Sequence, residues 1–395
     1  MEERRRLRRR ADSATVAGDQ LLLYRPEGTI ARIAVVVDQL DDAGLRTPLV
    51  EDVLAAFPHA ELHAVTDLRA APSPIAERAP VVWNASSTRP RRSWRRRRVE
   101  PEPSGELGDY DLVLRLGDRR SRGFVARTDA LDLTYILDLG DPDGDRNAPR
   151  LGSGLRDRCA MRSADRVWCG TRRLLATLRR RWKVDAELLY PPAETPGDVA
   201  AAGPRRVVLA VADGVSPAWN ARLDTLARWS DDLDVVKLGG SRPRRDPGRC
   251  RIEPATPRRF AELVGRAVAV VMPPGDVFDP RAVWAAAAGV PVVTPISSAH
   301  AETVHGLERR EPTGVLLDDP TDTALADGVA FVERHPTLFE RERLRRHAER
   351  WSRHRFRQTL KALVLDAWCG HVADRTASEG HVAGTAVERA GAPAL

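Results

Sequence analysis

Short apolar runs rich in β-branched residues recur along the chain, each followed by a stretch in which apolar residues return every third or fourth position. The first run is Ala31-Arg-Ile-Ala-Val-Val-Val-Asp38, whose continuous apolar character fits a strand covered on both faces. Leu49, Val53, Leu54 and Phe57 then mark one face of a helix, and Ala60-Glu-Leu-His-Ala-Val65 reads as a second strand. Strand, helix and strand within about 35 residues form a βαβ unit, which right-handed crossover makes part of a parallel sheet. Tyr110-Asp-Leu-Val-Leu114, Leu133-Thr-Tyr-Ile-Leu137 and Asp165-Arg-Val-Trp-Cys169 add further strands. A helix is expected over Ser153 to Ala164, and Thr171 is placed to cap another from Arg172 to Trp182.

Pro191-Pro-Ala-Glu-Thr-Pro-Gly197 interrupts this rhythm as a linker, after which the alternation restarts. Strands are predicted over Arg206 to Val211, Asp234 to Gly239, Val268 to Met272, Val290 to Thr294 and Gly314 to Leu317. Helices fall between them over Ala218 to Trp229, after Thr256-Pro257, over Pro280 to Ala288 and over Thr321 to Arg334. The predicted organisation is a basic arm over residues 1–28, a Rossmann-like domain over 29–195 and a second over 196–350. A helix over 351–372 crosses back toward the first domain, and a tail without order covers 373–395. Both domains are expected to be doubly wound α/β units.

Length agrees with two domains, since 395 residues at 42% apolar composition exceed what a single core organises. Lys+Arg number 63 against 56 Asp+Glu, a net charge of +7, and lysine stands only at Lys183, Lys237 and Lys361. So small an excess does not point to nucleic acid. Glu100 and Glu102 follow the arginine run from Arg89 to Arg98, which reads as a solvated loop whose only expected partner is weak contact with an anionic membrane surface. Cys159, Cys169, Cys250 and Cys369 are too scattered for a metal site or a disulfide framework. No apolar run spans a bilayer, and the N-terminal arginines precede no signal core. The expected location is cytoplasmic, or peripheral at the inner face of the membrane.

In open parallel sheets ligands bind beyond the carboxyl ends of the strands. The richest such loop is Pro273-Pro-Gly-Asp-Val-Phe-Asp-Pro280, where Asp279 can cap and Pro280 begin a helix whose free N–H groups would favour a diphosphate. An ordinary capped helix fits that pattern equally well.

Asp276-Val-Phe-Asp-Pro-Arg-Ala-Val-Trp-Ala-Ala-Ala-Ala-Gly-Val-Pro-Val-Val-Thr294 resembles, without a gap, the donor-site signature of family 4 retaining glycosyltransferases: Glu-x-Phe-Gly, then Glu-Ala, then Gly-x-Pro-Val. Ala164-Asp-Arg-Val-Trp-Cys-Gly-Thr171, Leu189-Tyr-Pro-Pro192 and Glu311-Pro-Thr-Gly-Val-Leu-Leu-Asp-Asp-Pro320 are similar to further family segments in the family's order. The loop from Asp38 to Gly44, Ala56-Phe-Pro-His-Ala-Glu-Leu62 and Tyr110-Asp-Leu-Val113 resemble the mannosyltransferase-like branch. The resemblance, from about Ala31 to Asp366, implies the GT-B fold of two Rossmann-like domains facing across a cleft. It also implies a nucleotide-sugar donor, no metal and no further cofactor. Asp276 takes the catalytic position beside the transferred sugar; Phe278, Asp279, Arg281, Trp284, Gly239, Ser298 and Glu302 fall on the donor side, and Asp38, Gly44 and Tyr135 on the acceptor side.

Several family residues are replaced. The glutamate that accepts from the ribose hydroxyls falls on Trp284, whose indole N–H can only donate; the ring could stack on a ligand or fill core. Restoring glutamate there is expected to strengthen donor binding. The two basic residues of the diphosphate clamp are absent from Ala212-Asp-Gly-Val-Ser-Pro-Ala218, and Leu137 stands where the branch has a histidine. Arg281, Arg242, Arg244 and Arg245 are the nearest replacement cations, and His300 is expected at the surface of its loop. The function implied is transfer of a hexose from a nucleotide sugar, with retention, to an acceptor that could be lipid-linked or an oligosaccharide. The alternative is a catalytically inactive homologue serving as partner or regulatory subunit.

Overall fold

The computed structural model describes residues 29–37, 46–66, 81–84, 110–117, 130–139, 161–194, 206–230, 232–240 and 250–390. The N-terminal arm, the Arg89 to Arg98 run, the acceptor-side Asp38 and Gly44, and Arg242, Arg244 and Arg245 lie outside the described residues.

Two parallel sheets organise the chain. The first contains β1 (Arg32–Val37), β2 (Glu61–Thr66), β3 (Val81–Asn84), β4 (Leu112–Gly117), β5 (Leu131–Ile136), β6 (Arg166–Cys169) and β7 (Glu187–Leu188), in the order β3-β2-β1-β4-β5-β6-β7. The second contains β8 (Val207–Val211), β9 (Asp234–Leu238), β10 (Cys250–Glu253), β11 (Ala267–Val271), β12 (Val292–Pro295) and β13 (Gly314–Leu317), in the order β10-β9-β8-β11-β12-β13. Each order reverses direction beside its first strand, between β1 and β4 and between β8 and β11. Those reversals open the crevices where ligands enter doubly wound sheets.

The continuous apolar runs become the central strands because both faces are covered. Ile33 to Val37 and Ala267 to Val271 are almost wholly buried. Helix α1 (Arg46–Ala56) covers the first sheet through Leu49, Val50 and Val53. In the second half, α3 (Pro217–Trp229), α4 (Pro257–Val264), α5 (Pro280–Ala287), α6 (Asp322–Arg334) and α7 (Arg341–Ala348) flank the sheet. Between the halves, α2 (Arg172–Thr177) starts at Thr171, whose hydroxyl accepts from the Leu174 N–H at 3.0 Å. The helix predicted to run on to Trp182 widens into a π-helical turn over Leu178–Trp182 and stops at Lys183, which sits at φ 54°.

Beyond α7 a tight turn over Glu349–Trp351 ends at Ser352, which leaves helical geometry. Helix α8 (Arg353–Ala390) then returns to the first sheet, where Phe356, Leu360, Val364, Ala367 and Trp368 join its core. Arg353 and Arg357 donate to Asp52 of α1 at 2.8 and 2.7 Å. The helix runs past residue 373, where order was expected to end, since alanines and charged residues of good helix propensity outnumber the two glycines there. No helix among the described residues is long and apolar enough to cross a membrane.

His347 of α7 is buried between His305 and Trp351, and its Nε2 donates to the Thr303 carbonyl at 2.9 Å. Burial pushes its pKa from 6.5 down to about 4; His305 and Arg350 add to this and the Thr303 bond opposes it. A folded-state value below the unfolded one means the stabilisation is complete above pH 6.5 and is lost as pH falls through 4. Thermal melts are expected to show roughly 3 kcal/mol disappearing over that window, and His347→Gln to flatten that part of the profile.

Candidate functional site

A cleft of about 720 Å3 opens at the β8/β11 reversal. The loop after β8 (Asp213 to Ser216) and the loop after β11 (Pro273 to Asp279) form its floor. Pro48 of α1, Glu194 of the linker and Arg353 of α8 close it from the other half of the molecule. Three helices begin at its wall. Ser216 caps α3 by accepting from the Trp219 N–H, Thr256 caps α4 from that of Arg259, and Asp279 caps α5 from that of Arg281. All three begin with proline after the cap; the caps expected at Thr256 and Asp279 form, and Ser216 supplies a third.

Around α5 the free N–H groups expected from the sequence are not available. Pro280 has none, that of Arg281 goes to Asp279 Oδ1 at 2.9 Å, and that of Ala282 to the Asp279 carbonyl at 3.4 Å. The Arg281 guanidinium is held as well, by Asp279 at 2.6 Å and by Asp213 at 2.6 Å. Burial raises the Asp279 carboxyl, but Arg281 more than offsets it and holds the group below its ordinary range. Asp213 thus stands in the loop where the resembling family carries cations, and its partner Arg281 belongs to α5.

Of the remaining predicted residues, Asp276, Phe278 and Trp284 line the cleft and Glu302, Ser298, Gly239 and Tyr135 do not. Asp276 keeps its side chain 72% exposed and pairs with Arg173 of α2, while the Thr171 hydroxyl donates to its carbonyl. Glu302 does not line the cleft: its carboxylate accepts the Arg172 and Arg173 N–H groups at 2.7 and 2.9 Å and the Tyr190 hydroxyl at 2.8 Å, tying the two halves together. Ser298 is buried, and its hydroxyl is engaged with the carbonyls of Pro273 and Gly275. Gly239, at φ 77°, packs so closely on Asp213 that a Cβ would stand 2.8 Å away; it props the loop after β8. Phe278 is core at the cleft wall. Tyr135, expected on the acceptor side, is fully buried, donates to the Leu189 carbonyl at 2.6 Å and stacks on Phe356. Burial pushes its hydroxyl pKa well up.

Trp284 is half-buried: one side packs edge-on against Phe260 at 5.7 Å, with the indole nitrogen buried and without a hydrogen-bond partner, and the other borders the cleft. Trp284→Glu therefore trades apolar packing for a carboxylate and is expected to cost at least about 3 kcal/mol. Chemical denaturation reads this directly; unchanged stability would contradict the packing argument. His300, expected at the surface, is 5% exposed and lines the cleft. Trp219 also lines it and was not singled out, although the Ser-Pro-x-Trp spacing sets it in the first turn of α3. Among the described residues no three His, Cys, Asp or Glu side chains gather as a metal site.

Twin sheets in this order, joined by a linker and crossed by a returning helix, define the GT-B fold of glycosyltransferases. Solved structures with this architecture include sucrose-phosphate synthase from Thermosynechococcus elongatus, with TM-score 0.59 and 15% identity over 86% of this chain and 100% of that one. The Anabaena protein HepE, in complex with UDP, gives TM-score 0.60 and 13% identity over 85% and 99% of the two chains. A glycosyltransferase from Rickettsia africae gives TM-score 0.59 and 12% identity over 86% and 99%. No protein-family model matches the sequence, and no curated protein matches it.

Proposed function

We propose that the protein transfers a hexose from a nucleotide sugar to a separate acceptor with retention at the anomeric carbon, using the cleft at the β8/β11 reversal as its donor site. The observation that carries this reading is the convergence of three helix N-termini on one cleft between two Rossmann-like domains. Each such end carries about half a positive charge, which offsets most of the acidic excess of Glu194, Asp213, Asp276 and Asp279 over Arg281 and Arg353. The cleft has the size of a small-molecule site. Structures of HepE with UDP and with UDP-glucose lend support, since that protein shares the fold. Catalysis in this reading is electrostatic: the helix dipoles stabilise the leaving diphosphate, Arg281 joins them only when drawn from Asp279 and Asp213, and Asp276, held by Arg173, borders the reacting sugar.

The test is to incubate the protein with UDP-, GDP- and ADP-hexoses and candidate lipid-linked or oligosaccharide acceptors, and to follow nucleoside diphosphate release and the anomeric configuration of the product by NMR. Release from one donor with the α or β configuration preserved is expected; inversion would overturn the retaining assignment.

One observation favours a second reading, a non-catalytic homologue acting as a partner subunit: Asp279 already occupies the N–H and guanidinium groups that a diphosphate would use. That reading predicts no turnover with any donor.

A further inference from the structure

Two loops are zippered together on the floor of the cleft, residues 273–276 after β11 and 298–302 after β12. The Ser298 hydroxyl reaches the carbonyls of Pro273 and Gly275, both at 3.3 Å, and the Ala299 N–H donates to Gly275 at 2.7 Å. This zipper fixes His300 beneath the loop that carries Asp276. The imidazole lines the cleft, yet it is 5% exposed, and its Nδ1 is sealed from solvent with no hydrogen-bond partner. Nε2 is the ring nitrogen at Gly275, where a methyl group would stand only 3.3 Å from it. Glycine at that position is what leaves room beside the nitrogen.

A buried imidazole with one orphaned nitrogen selects its tautomer by cost. An orphaned N–H is rarer in folded proteins than an under-used lone pair, so the proton belongs on Nε2 and the bare lone pair on Nδ1. Burial also lowers the ring's pKa, Asp279 opposing and Arg281 reinforcing the shift, which favours the neutral form. Meanwhile the cations of the cleft are committed elsewhere: Arg281 to Asp279 and Asp213, and Arg353 to Asp52 and Glu51.

We propose that His300 is a ligand-binding residue of the cleft, its Nε2–H donating to a diphosphate oxygen of the donor as a neutral substitute for the absent basic clamp. The inference rests on the nucleotide-sugar reading above and assigns that site a residue which neither the donor-site signature nor the fold supplies.

Two measurements test it. Long-range 15N–1H NMR of the histidine rings in the free protein is expected to show His300 as the Nε2–H tautomer; the Nδ1–H form would overturn the proposal whether or not any nucleotide binds. UDP, GDP and ADP are then titrated against tryptophan fluorescence in the wild type, His300→Leu and His300→Gln, with thermal melts confirming that each variant folds. His300→Leu is expected to weaken binding about tenfold, the share of one hydrogen bond to a charged group, and His300→Gln, which keeps an N–H donor, to recover part of the loss. Binding equal in wild type and His300→Leu would overturn this inference and leave the donor reading standing. Silence of the wild type toward every diphosphate would overturn both.

Discussion

Replacing Asp224 by alanine is expected to destabilise the second domain by about 3–5 kcal/mol, because it strips the carboxylate from a buried ammonium. Lys237 lies in β9 with no exposed surface, its Nζ donating to Asp224 at 2.7 Å and to Asn220 at 2.8 Å. Asn220 and Asp224 stand one turn apart on α3, so a single helix face supplies both partners. Without Asp224 the charge keeps its desolvation cost and loses its main compensation. For a domain of this size the midpoint of melting should fall by roughly 10 °C. Removing both charges together, as Lys237→Met with Asp224→Leu, is expected to stay within about 1 kcal/mol of wild type, since apolar replacement of a buried pair is often neutral. A single variant melting within about 2 °C of wild type would show that the ammonium is satisfied without Asp224.

Asp279→Gly should act in opposite directions on ligand and fold. It restores the glycine of the resembling signature, frees the Arg281 N–H and releases its guanidinium from one of its two carboxylates. It also removes one negative charge from the start of α5. Each charge-assisted hydrogen bond so offered to a diphosphate contributes about 1.5–3 kcal/mol, so affinity for a nucleoside diphosphate is expected to rise at least tenfold. Stability should fall as well: glycine replaces a capping side chain at a cost of a few tenths of a kcal/mol, and the largely buried Arg281 is left with Asp213 as its carboxylate partner. Titration of the variant and the wild type in parallel gives the comparison. Equal or weaker binding in Asp279→Gly would mean that Arg281 and the α5 terminus do not face the phosphates.

The sequence made the fold legible wherever one local rule governed a segment. β1 and β11 follow from apolar runs that only a doubly covered strand accommodates, and α2, α4 and α5 from cap residues whose hydrogen bonds form as predicted. β10 escaped notice because Cys250-Arg-Ile-Glu253 carries little apolar signal and owes its place to pairing with β9. The site was less legible, since its chemistry depends on pairings across long stretches of chain. Nothing local says that Arg281 will meet Asp213, that Arg173 will reach Asp276, or that Glu302 will cap a helix in the other half of the molecule. Lys237 looked like any strand lysine until α3 supplied partners for it. His300 looked like a loop residue because burial by a neighbouring loop leaves no mark on periodicity.

Calorimetric titration of UDP, GDP and ADP into the full chain tests the claim that the cleft at the β8/β11 reversal is a nucleotide-sugar donor site. One diphosphate is expected to bind at micromolar concentration, about −8 kcal/mol, and to do so more tightly in Asp279→Gly. No heat with any of the three, in wild type and variant alike, would contradict it.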